Sequence, residues 1–147
     1  MDNLADSLRR VPILAALKEE HLDMLGKLAN RRTFNPGEAI IRQGDPGAGL
    51  FVIIEGSVEV TYRERPTRPE ISLNTLSKGE FFGEMSLIDG YPRSATVTAL
   101  EETQVVELDR WVFLDALRRE PNIAVAMLPI LTRRIRSLQE QTASFYS

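Results

Sequence analysis

Apolar residues recur at two different spacings along the chain. Before residue 31 they fall three or four residues apart, a spacing that predicts helices over residues 1–30. From residue 31 onward, short runs of β-branched and aromatic residues alternate with glycine and proline, and the segments LFVII and VEVTY flank EGS. This second pattern predicts strands, with a hairpin at EGS. The helical positions are Leu4, Leu8, Ile13, Leu14, Leu17, Leu22, Leu25 and Leu28.

Strand-like segments continue to residue 109. ISLNTL, EFF, SATVTAL and TQVVEL follow one another at even intervals, which brings the number of predicted strands to about eight. Short, evenly spaced strands are typical of an antiparallel sandwich or barrel rather than of a parallel sheet. We therefore expect a single, mainly β domain over 1–147, with a rolled sheet at 31–109 and helices at 1–30 and 110–147.

The helical spacing returns at the C-terminal end. DRWVFLDALRRE is amphipathic, and Trp111 is expected to pack in the core or at a hinge. Pro121 is suited to the first turn of a second helix, which runs toward residue 141. Pro129 predicts a kink or a restart within it, because proline removes a backbone hydrogen bond.

This last helix carries apolar positions at alternating spacings of three and four residues. A seam of this kind either packs on the β-core of its own chain or forms a coiled coil with a second copy, and the sequence leaves both open. A homodimer through residues 128–145 is therefore one expectation. The seam consists of Leu128, Leu131, Ile135, Leu138, Thr142 and Phe145.

Composition narrows the classes of function. The 147 residues carry a net charge of −3 and include no cysteine and one histidine, His21, which is expected at the surface between acidic residues. We therefore expect no disulfide and no metal site of the kind that β-roll enzymes such as cupin-like dioxygenases need. The chain has no basic excess, secretion signal or long apolar run, so we expect a cytoplasmic protein with no membrane span and no direct nucleic-acid binding.

The segment FFGEMSLIDGYPRSATV, residues 81–97, concentrates the candidate chemistry. Arg93 offers a fork of donors that matches phosphate oxygens. The turn that begins at Gly83 leaves its first backbone amides, at Met85 and Ser86, free to bind an anion. Glu84 would be repelled by the same anion, so it is expected to accept from donors such as a sugar hydroxyl. This combination predicts a small ligand that carries one phosphate charge and a sugar.

The run from Phe82 to Val97 resembles the phosphate-binding cassette of cyclic nucleotide-binding domains. Such domains occur in catabolite-activator-type regulators, in regulatory subunits of cyclic AMP-dependent kinase and in cyclic nucleotide-gated channels. Residues 36–60, PGEAIIRQGDPGAGLFVIIEGSVEV, resemble the first β-hairpins of that family. The resemblance implies an eight-stranded antiparallel β-roll of the jelly-roll type, followed by hinge and lid helices.

The resemblance also implies roles for individual residues. Glu84 would accept a hydrogen bond from the ribose 2′-hydroxyl, and Arg93 would bind the cyclic phosphate. Arg134 falls where some relatives have an arginine that reaches the position of Glu84. Backbone and hydroxyl contacts to sugar and phosphate would come from Gly83, Ser94 and Ala95. The side of the site that faces the base would be lined by Val60, Leu73 and Leu76, each of which also fits an ordinary core position. The choice between adenine and guanine would be made around Leu138, Gln139 and Thr142.

The sequence therefore predicts a non-enzymatic sensor. No positioned base for cleaving a cyclic phosphate is visible, so we expect no catalytic residue and no enzyme. A cyclic nucleotide, cyclic AMP in preference to cyclic GMP, would bind the cassette, and the C-terminal helices would move in response. The alternative is a β-roll that binds no ligand and serves as an interaction or dimerisation module. The sequence does not identify the effector domain or protein that receives the signal.

Overall fold

The computed structural model describes residues 4–146, with side chains described through residue 142. Three helices precede the β region, a short helix interrupts it, and two helices follow it. The helices are α1 (Leu4–Leu8), α2 (Pro12–Ala15), α3 (Glu19–Leu28), α4 (Glu84–Asp89), α5 (Arg110–Arg119) and α6 (Asn122–Tyr146).

The β region contains eight strands arranged in two four-stranded sheets. Their bounds are β1 (Asn30–Phe34), β2 (Ala39–Ile41), β3 (Gly49–Glu55), β4 (Ser57–Tyr62), β5 (Ile71–Ser77), β6 (Phe81–Phe82), β7 (Thr96–Ala99) and β8 (Thr103–Asp109). One sheet has the order β1-β8-β3-β6 and the other β2-β7-β4-β5, and every paired strand is antiparallel. The predicted eight-stranded β-roll with flanking helices is confirmed.

Strand β3 of the first sheet is buried on both faces over most of its length, because one apolar core lies on each side of it. In β3, Phe51 and Ile53 belong to the core inside the roll, whereas Leu50 and Val52 belong to the core under the helices. Successive side chains of a strand point to opposite faces. The continuous apolar run LFVII is therefore the signature of a strand that is covered on both sides.

Three helical expectations need correction. α6 is one continuous helix through Pro129, so the predicted restart is wrong. His21 is only 7% exposed rather than at the surface, because its imidazole lies 3.8 Å from the Glu120 carboxylate at the end of α5. Trp111 is 65% exposed, so it is not a core residue.

The seam on α6 faces outward over its described part. Leu128, Ile135 and Leu138 are between 57% and 63% exposed, Leu131 is partly buried, and Thr142 is exposed. The side chain of Phe145 lies outside the described residues. Across residues 4–146 there is no helix with both the length and the apolar character needed to cross a membrane.

Candidate functional site

The cassette is built from a short strand, one short helix and a returning loop. β6 ends at Phe82, and Gly83 then adopts a φ of +83°, which turns the chain into α4. A side chain at this position would be strained and would also lack room, since a Cβ on Gly83 would lie 2.6 Å from Nη1 of Arg93. Gly83 thus allows the Arg93 guanidinium to lie against the start of α4.

A cavity of about 470 Å³ opens beside this turn. Its size falls in the range of about 300–1,000 Å³ that is usual for small-molecule sites. One wall is apolar and comes from the inner face of the roll, whereas the other wall is the cassette. The lining residues are Ile41, Val60, Phe81, Phe82, Gly83, Glu84, Met85, Ser86, Asp89, Tyr91, Pro92, Arg93, Ser94, Ala95 and Val97.

Arg93 is a cation that is held almost entirely away from water. It is 6% exposed, and its Nη2 donates a hydrogen bond of 2.8 Å to the carbonyl of Gly49. Among the described residues, its buried Nη1 has no hydrogen-bond partner. Burial lowers the pKa of Arg93, while the charges of Glu107 and Asp45 raise it by a smaller amount. A buried cation with an unused donor at the wall of a cavity is suited to binding an anion.

The loop before β3 holds the Arg93 backbone in place. The amide of Arg93 donates to the carbonyl of Asp45 at 2.7 Å, and the carbonyl of Arg93 accepts from the amide of Gly44 at 2.9 Å. The loop also packs closely on the cassette, because a Cβ on Gly47 would lie 2.3 Å from the carbonyl oxygen of Tyr91. Sequence reasoning assigned no role to this loop, although the turn-forming run QGDPG was its signal.

Glu84 lies in the first turn of α4 and is paired with α6. Arg134 donates two hydrogen bonds to its carboxylate, Nη1 to Oε2 and Nη2 to Oε1, each 3.0 Å long. The Glu84 side chain is 15% exposed and that of Arg134 is 42% exposed. The hydrogen bond to Glu84 raises the pKa of Arg134. This bidentate pair connects two helices through residues that lie 50 positions apart in the chain.

The structure brings most of the predicted site residues together. Arg134 reaches the cavity wall through Glu84, and one group lines the cavity directly: Val60, Gly83, Glu84, Met85, Ser86, Arg93, Ser94 and Ala95. Four further lining residues were not predicted from the sequence, namely Ile41, Asp89, Tyr91 and Val97. They come from separate strands and turns, and only the folded structure shows that these lie next to the same cavity.

Of the two leucines expected on the base side, Leu76 takes the ordinary core position that the sequence left open, and Leu73 takes neither position. Neither of them lines the cavity, because both belong to β5, the edge strand of its sheet. Leu73 is 57% exposed at a register shift between β4 and β5, and Leu76 packs against the core inside the roll. The predicted base-selecting positions Leu138, Gln139 and Thr142 line a separate depression of about 460 Å³ on α6.

The described residues include no cluster of three or more His, Cys, Asp or Glu side chains that could hold a metal ion. The polar groups at the cavity are instead the carboxylates of Glu84 and Asp89, one buried guanidinium, serine hydroxyls and the amides at the start of α4. Such a set binds a ligand with an anionic group and hydroxyl donors.

Comparison with known proteins agrees with this description. Residues 31–120 match the family model described as the cyclic nucleotide-binding domain. The crystal structure of the N-terminal domain of a transcriptional regulator from Streptomyces coelicolor superposes with a TM-score of 0.83 at 35% identity. This superposition covers 93% of the present chain and 95% of the other.

Two characterised relatives are similar over most of the chain. The cyclic AMP receptor protein of Thermus thermophilus is 36% identical over 85% of this chain and 57% of its own length. Isozyme 1 of the cGMP-dependent protein kinase of Drosophila melanogaster is 39% identical over 75% of this chain and 15% of its own length. The chain thus spans well under two thirds of either relative.

Proposed function

Because this chain belongs to the cyclic nucleotide-binding domain family, we propose that its cassette cavity binds a 3′,5′-cyclic nucleotide and that binding is signalled through α5 and α6. The cyclic phosphate binds at Arg93 and at the free amides of Met85 and Ser86. Glu84 accepts a hydrogen bond from the ribose. Contacts from Gly83, Ser94 and Ala95 complete the site.

The observation that carries this proposal is that Nη1 of Arg93 has no hydrogen-bond partner in the part of the chain that the structure describes. Burying an arginine costs several kcal/mol unless an opposite charge or a full set of acceptors compensates. The carbonyl of Gly49 occupies one donor, and the carboxylates of Asp45 and Glu107 act on the guanidinium through their charge. A phosphate in the cavity would supply the acceptor that Nη1 lacks and would add negative charge next to the guanidinium.

The Glu84–Arg134 pair supports a signalling role for α6. A ribose hydroxyl that donates to Glu84 shares the carboxylate with Arg134. The interaction of the nucleotide with the protein therefore depends on where α6 places Arg134. A ligand shifts a conformational equilibrium only through such a difference in interaction free energy. The output is therefore conformational, and we propose no chemical step.

We propose cyclic AMP as the preferred ligand. Of the two relatives described above, the one that matches more of this chain is named for cyclic AMP, whereas the kinase is named for cyclic GMP. Ser94 keeps cyclic GMP as the alternative, since its hydroxyl is able to accept from the 2-amino group of guanine.

The first test is calorimetric titration of the purified chain with cyclic AMP and with cyclic GMP, using Arg93→Ala as the site variant. Loss of the guanidinium should weaken binding by about 2–5 kcal/mol, because it leaves the phosphate charge unpaired in a buried site. This range corresponds to roughly 30- to several-thousand-fold in Kd. Arg65→Ala removes an exposed arginine outside the cassette and serves as the matched control.

Binding by the wild type and by Arg65→Ala, with strong loss in Arg93→Ala, would support the proposal. An effect below about threefold in Arg93→Ala, well short of the cost of an unpaired buried charge, would refute its role with the phosphate. If neither nucleotide bound the wild type, the sensor function itself would be refuted. The alternative, a β-roll that dimerises through α6 without ligand, would then be the better explanation of the exposed seam.

A further inference from the structure

Arg110 lies at the junction between the cassette helix and the first C-terminal helix. It is the first residue of α5, and its Nη2 donates a hydrogen bond of 3.2 Å to the carbonyl of Ile88, near the C-terminal end of α4. A cation at this end of a helix is also favoured by the helix dipole. Its guanidinium lies 5.1 Å from the ring centroid of Trp111.

The end of α4 is shaped to receive this guanidinium. Gly90 ends the helix with a φ of +68°, and a Cβ on this residue would lie 2.9 Å from both Cζ and Nε of Arg110. The arginine thus rests directly on the backbone of residue 90. Any movement of the loop that returns toward Arg93 must either move the Arg110 side chain or break this contact.

The other hydrogen bonds at the start of α5 do not involve α4. Asp109 caps α5 by accepting from the amides of Trp111 and Val112, and the amide of Arg110 donates to the carbonyl of Ala48. The cap lies at the start of α5 itself, and the bond to Ala48 fixes α5 to the loop before β3, which also holds the Arg93 backbone. Among the described residues, the direct hydrogen bond from α5 to α4 is the one that Arg110 donates to the carbonyl of Ile88.

An apolar connection also exists. Leu87 of α4 and Phe113 of α5 are fully buried members of the core under the helices. Apolar burial holds the two helices together, but it is not directional and tolerates small sliding movements. A hydrogen bond weakens steeply when its geometry changes, so Arg110 is the more sensitive of the two connections.

The bonding of Arg110 is incomplete in this arrangement. Its Nε is buried and has no hydrogen-bond partner among the described residues. The last turn of a helix leaves carbonyl groups without intrahelical partners, so a small shift of α4 would bring a second acceptor to Nε. A shift of α4 would therefore change which donors of Arg110 are hydrogen-bonded.

We propose that Arg110 is the positioning residue that transmits nucleotide binding from the cassette to α5. The inference rests on the proposed function, because it requires a ligand that tightens the cassette around Arg93. When the cassette tightens, α4 moves relative to the Arg110 guanidinium and changes its hydrogen bonding. Arg110 then changes the stability of the first turn of α5. Arg110 itself touches no ligand.

Coupling of this kind is reciprocal. Suppose that nucleotide binding stabilises α5 through Arg110. Removal of the Arg110 side chain must then weaken two things by the same factor, the stabilisation of α5 by nucleotide and the affinity for nucleotide. A purely structural role would destabilise α5 equally with and without nucleotide. The ratio of the stability of α5 with nucleotide to its stability without nucleotide therefore distinguishes coupling from a general loss of stability.

The test is amide hydrogen exchange of the full chain with and without saturating cyclic AMP, together with calorimetry. The variant is Arg110→Met, which keeps the apolar stem and removes the donors. Arg118→Met is the matched control, since Arg118 is an exposed arginine on the same helix. In the wild type and in the control, cyclic AMP should slow exchange in α5 by about 5-fold or more, the lower end of usual coupling strengths.

In Arg110→Met this slowing should disappear, and the Kd for cyclic AMP should rise by the same factor. Trp111 is the single tryptophan of the chain and stacks on Arg110, so its fluorescence provides a second readout. Nucleotide should change its emission in the wild type and in Arg118→Met but not in Arg110→Met.

Two results separate the possible failures. If the wild type binds neither cyclic AMP nor cyclic GMP, the proposed function fails, and transmission through Arg110 fails with it. If the wild type binds cyclic AMP and α5 responds equally in Arg110→Met and Arg118→Met, the role of Arg110 alone is overturned. The apolar contact around Leu87 and Phe113 would then carry the signal.

Discussion

Arg93 illustrates how a single buried charge defines a site. The side chain is 6% exposed, its neighbouring carboxylates act on it through their charge, and Nη1 remains without a partner among the described residues. Burial lowers the pKa of this guanidinium, which means that the protein bears a desolvation cost at this position. A bound anion offsets part of that desolvation cost. The proposed affinity for phosphate therefore comes from the burial of Arg93 in the folded protein.

The role of Glu84 is tested by a cycle that changes both protein and ligand. Glu84→Gln should weaken binding of cyclic AMP by about 1.5–3 kcal/mol, the usual contribution of a hydrogen bond to a charged group. With 2′-deoxy cyclic AMP the same substitution should have little effect, because the hydroxyl that donates to Glu84 is absent. Calorimetry of the four combinations measures the coupling between the two groups.

An equal loss for both nucleotides would contradict the contact with the 2′-hydroxyl. It would indicate instead that Glu84 acts by holding Arg134. Arg134→Gln is the companion variant, since it removes the bidentate partner and leaves the carboxylate in place.

At the scale of elements, α6 has two separate tasks on two faces. Arg134 connects one side of the helix to α4, whereas Leu128, Ile135 and Leu138 leave an apolar surface uncovered. Apolar seams with this spacing pair with a second helix when two chains meet. We therefore propose that α6 forms the interface of a homodimer.

A charge within the seam should prevent this assembly. We expect light scattering of the wild type to give twice the chain mass of 16.6 kDa, and Ile135→Lys to give the mass of one chain. The side chain of Ile135 is 57% exposed in the single chain, so the substitution should not disturb the fold. Ser137→Lys, on the same helix but outside the seam, is the matched control.

The dimer proposal is wrong if the wild type has the mass of one chain at all concentrations tested. Equal masses for Ile135→Lys and wild type, both at twice the chain mass, would show that another surface forms the interface.

At the scale of the whole molecule, the site lies where the roll and the helices meet. The apolar wall of the cavity belongs to the inside of the roll, and Glu84 and the Arg134 partner belong to helices. Leu87 of α4 lies in the core under the helices, whereas Phe82, just before the cassette, lies in the core inside the roll. The cassette is thus attached to both cores, and a ligand bound there should stabilise the molecule as a whole.

Ligand binding should therefore raise the melting temperature. A ligand at 100 times its Kd adds about 2.7 kcal/mol to the free energy of unfolding. For a chain of 147 residues this corresponds to a rise in Tm of roughly 5–10 °C. Differential scanning calorimetry with cyclic AMP should show the full rise in wild type and at most about 3 °C in Arg93→Ala at the same nucleotide concentration, because a site weakened 30-fold or more keeps less than about 1 kcal/mol of the stabilisation. An equal rise in both proteins would indicate binding elsewhere.

The helices, the strands and the cassette could be predicted from the amino-acid sequence. Periodicity distinguished helix from strand, because spacing within one element depends only on backbone geometry. Turn residues separated the eight strands, and the run from Gly83 to Arg93 contained the carboxylate, the guanidinium and the free amides close together in the chain. These features are local, so they are visible without knowledge of the fold.

Tertiary structure alone decided which faces are covered and which side chains meet. His21 is buried because the end of α5 lies over it, and Trp111 is exposed although its helix is amphipathic. Leu73 lies outside the cavity because β5 is an edge strand with a register shift. The unused donors of Arg93 and Arg110 likewise depend on neighbours distant in sequence. The physical reason is that periodicity reports a face of one element, whereas burial and hydrogen bonding depend on the element packed against it.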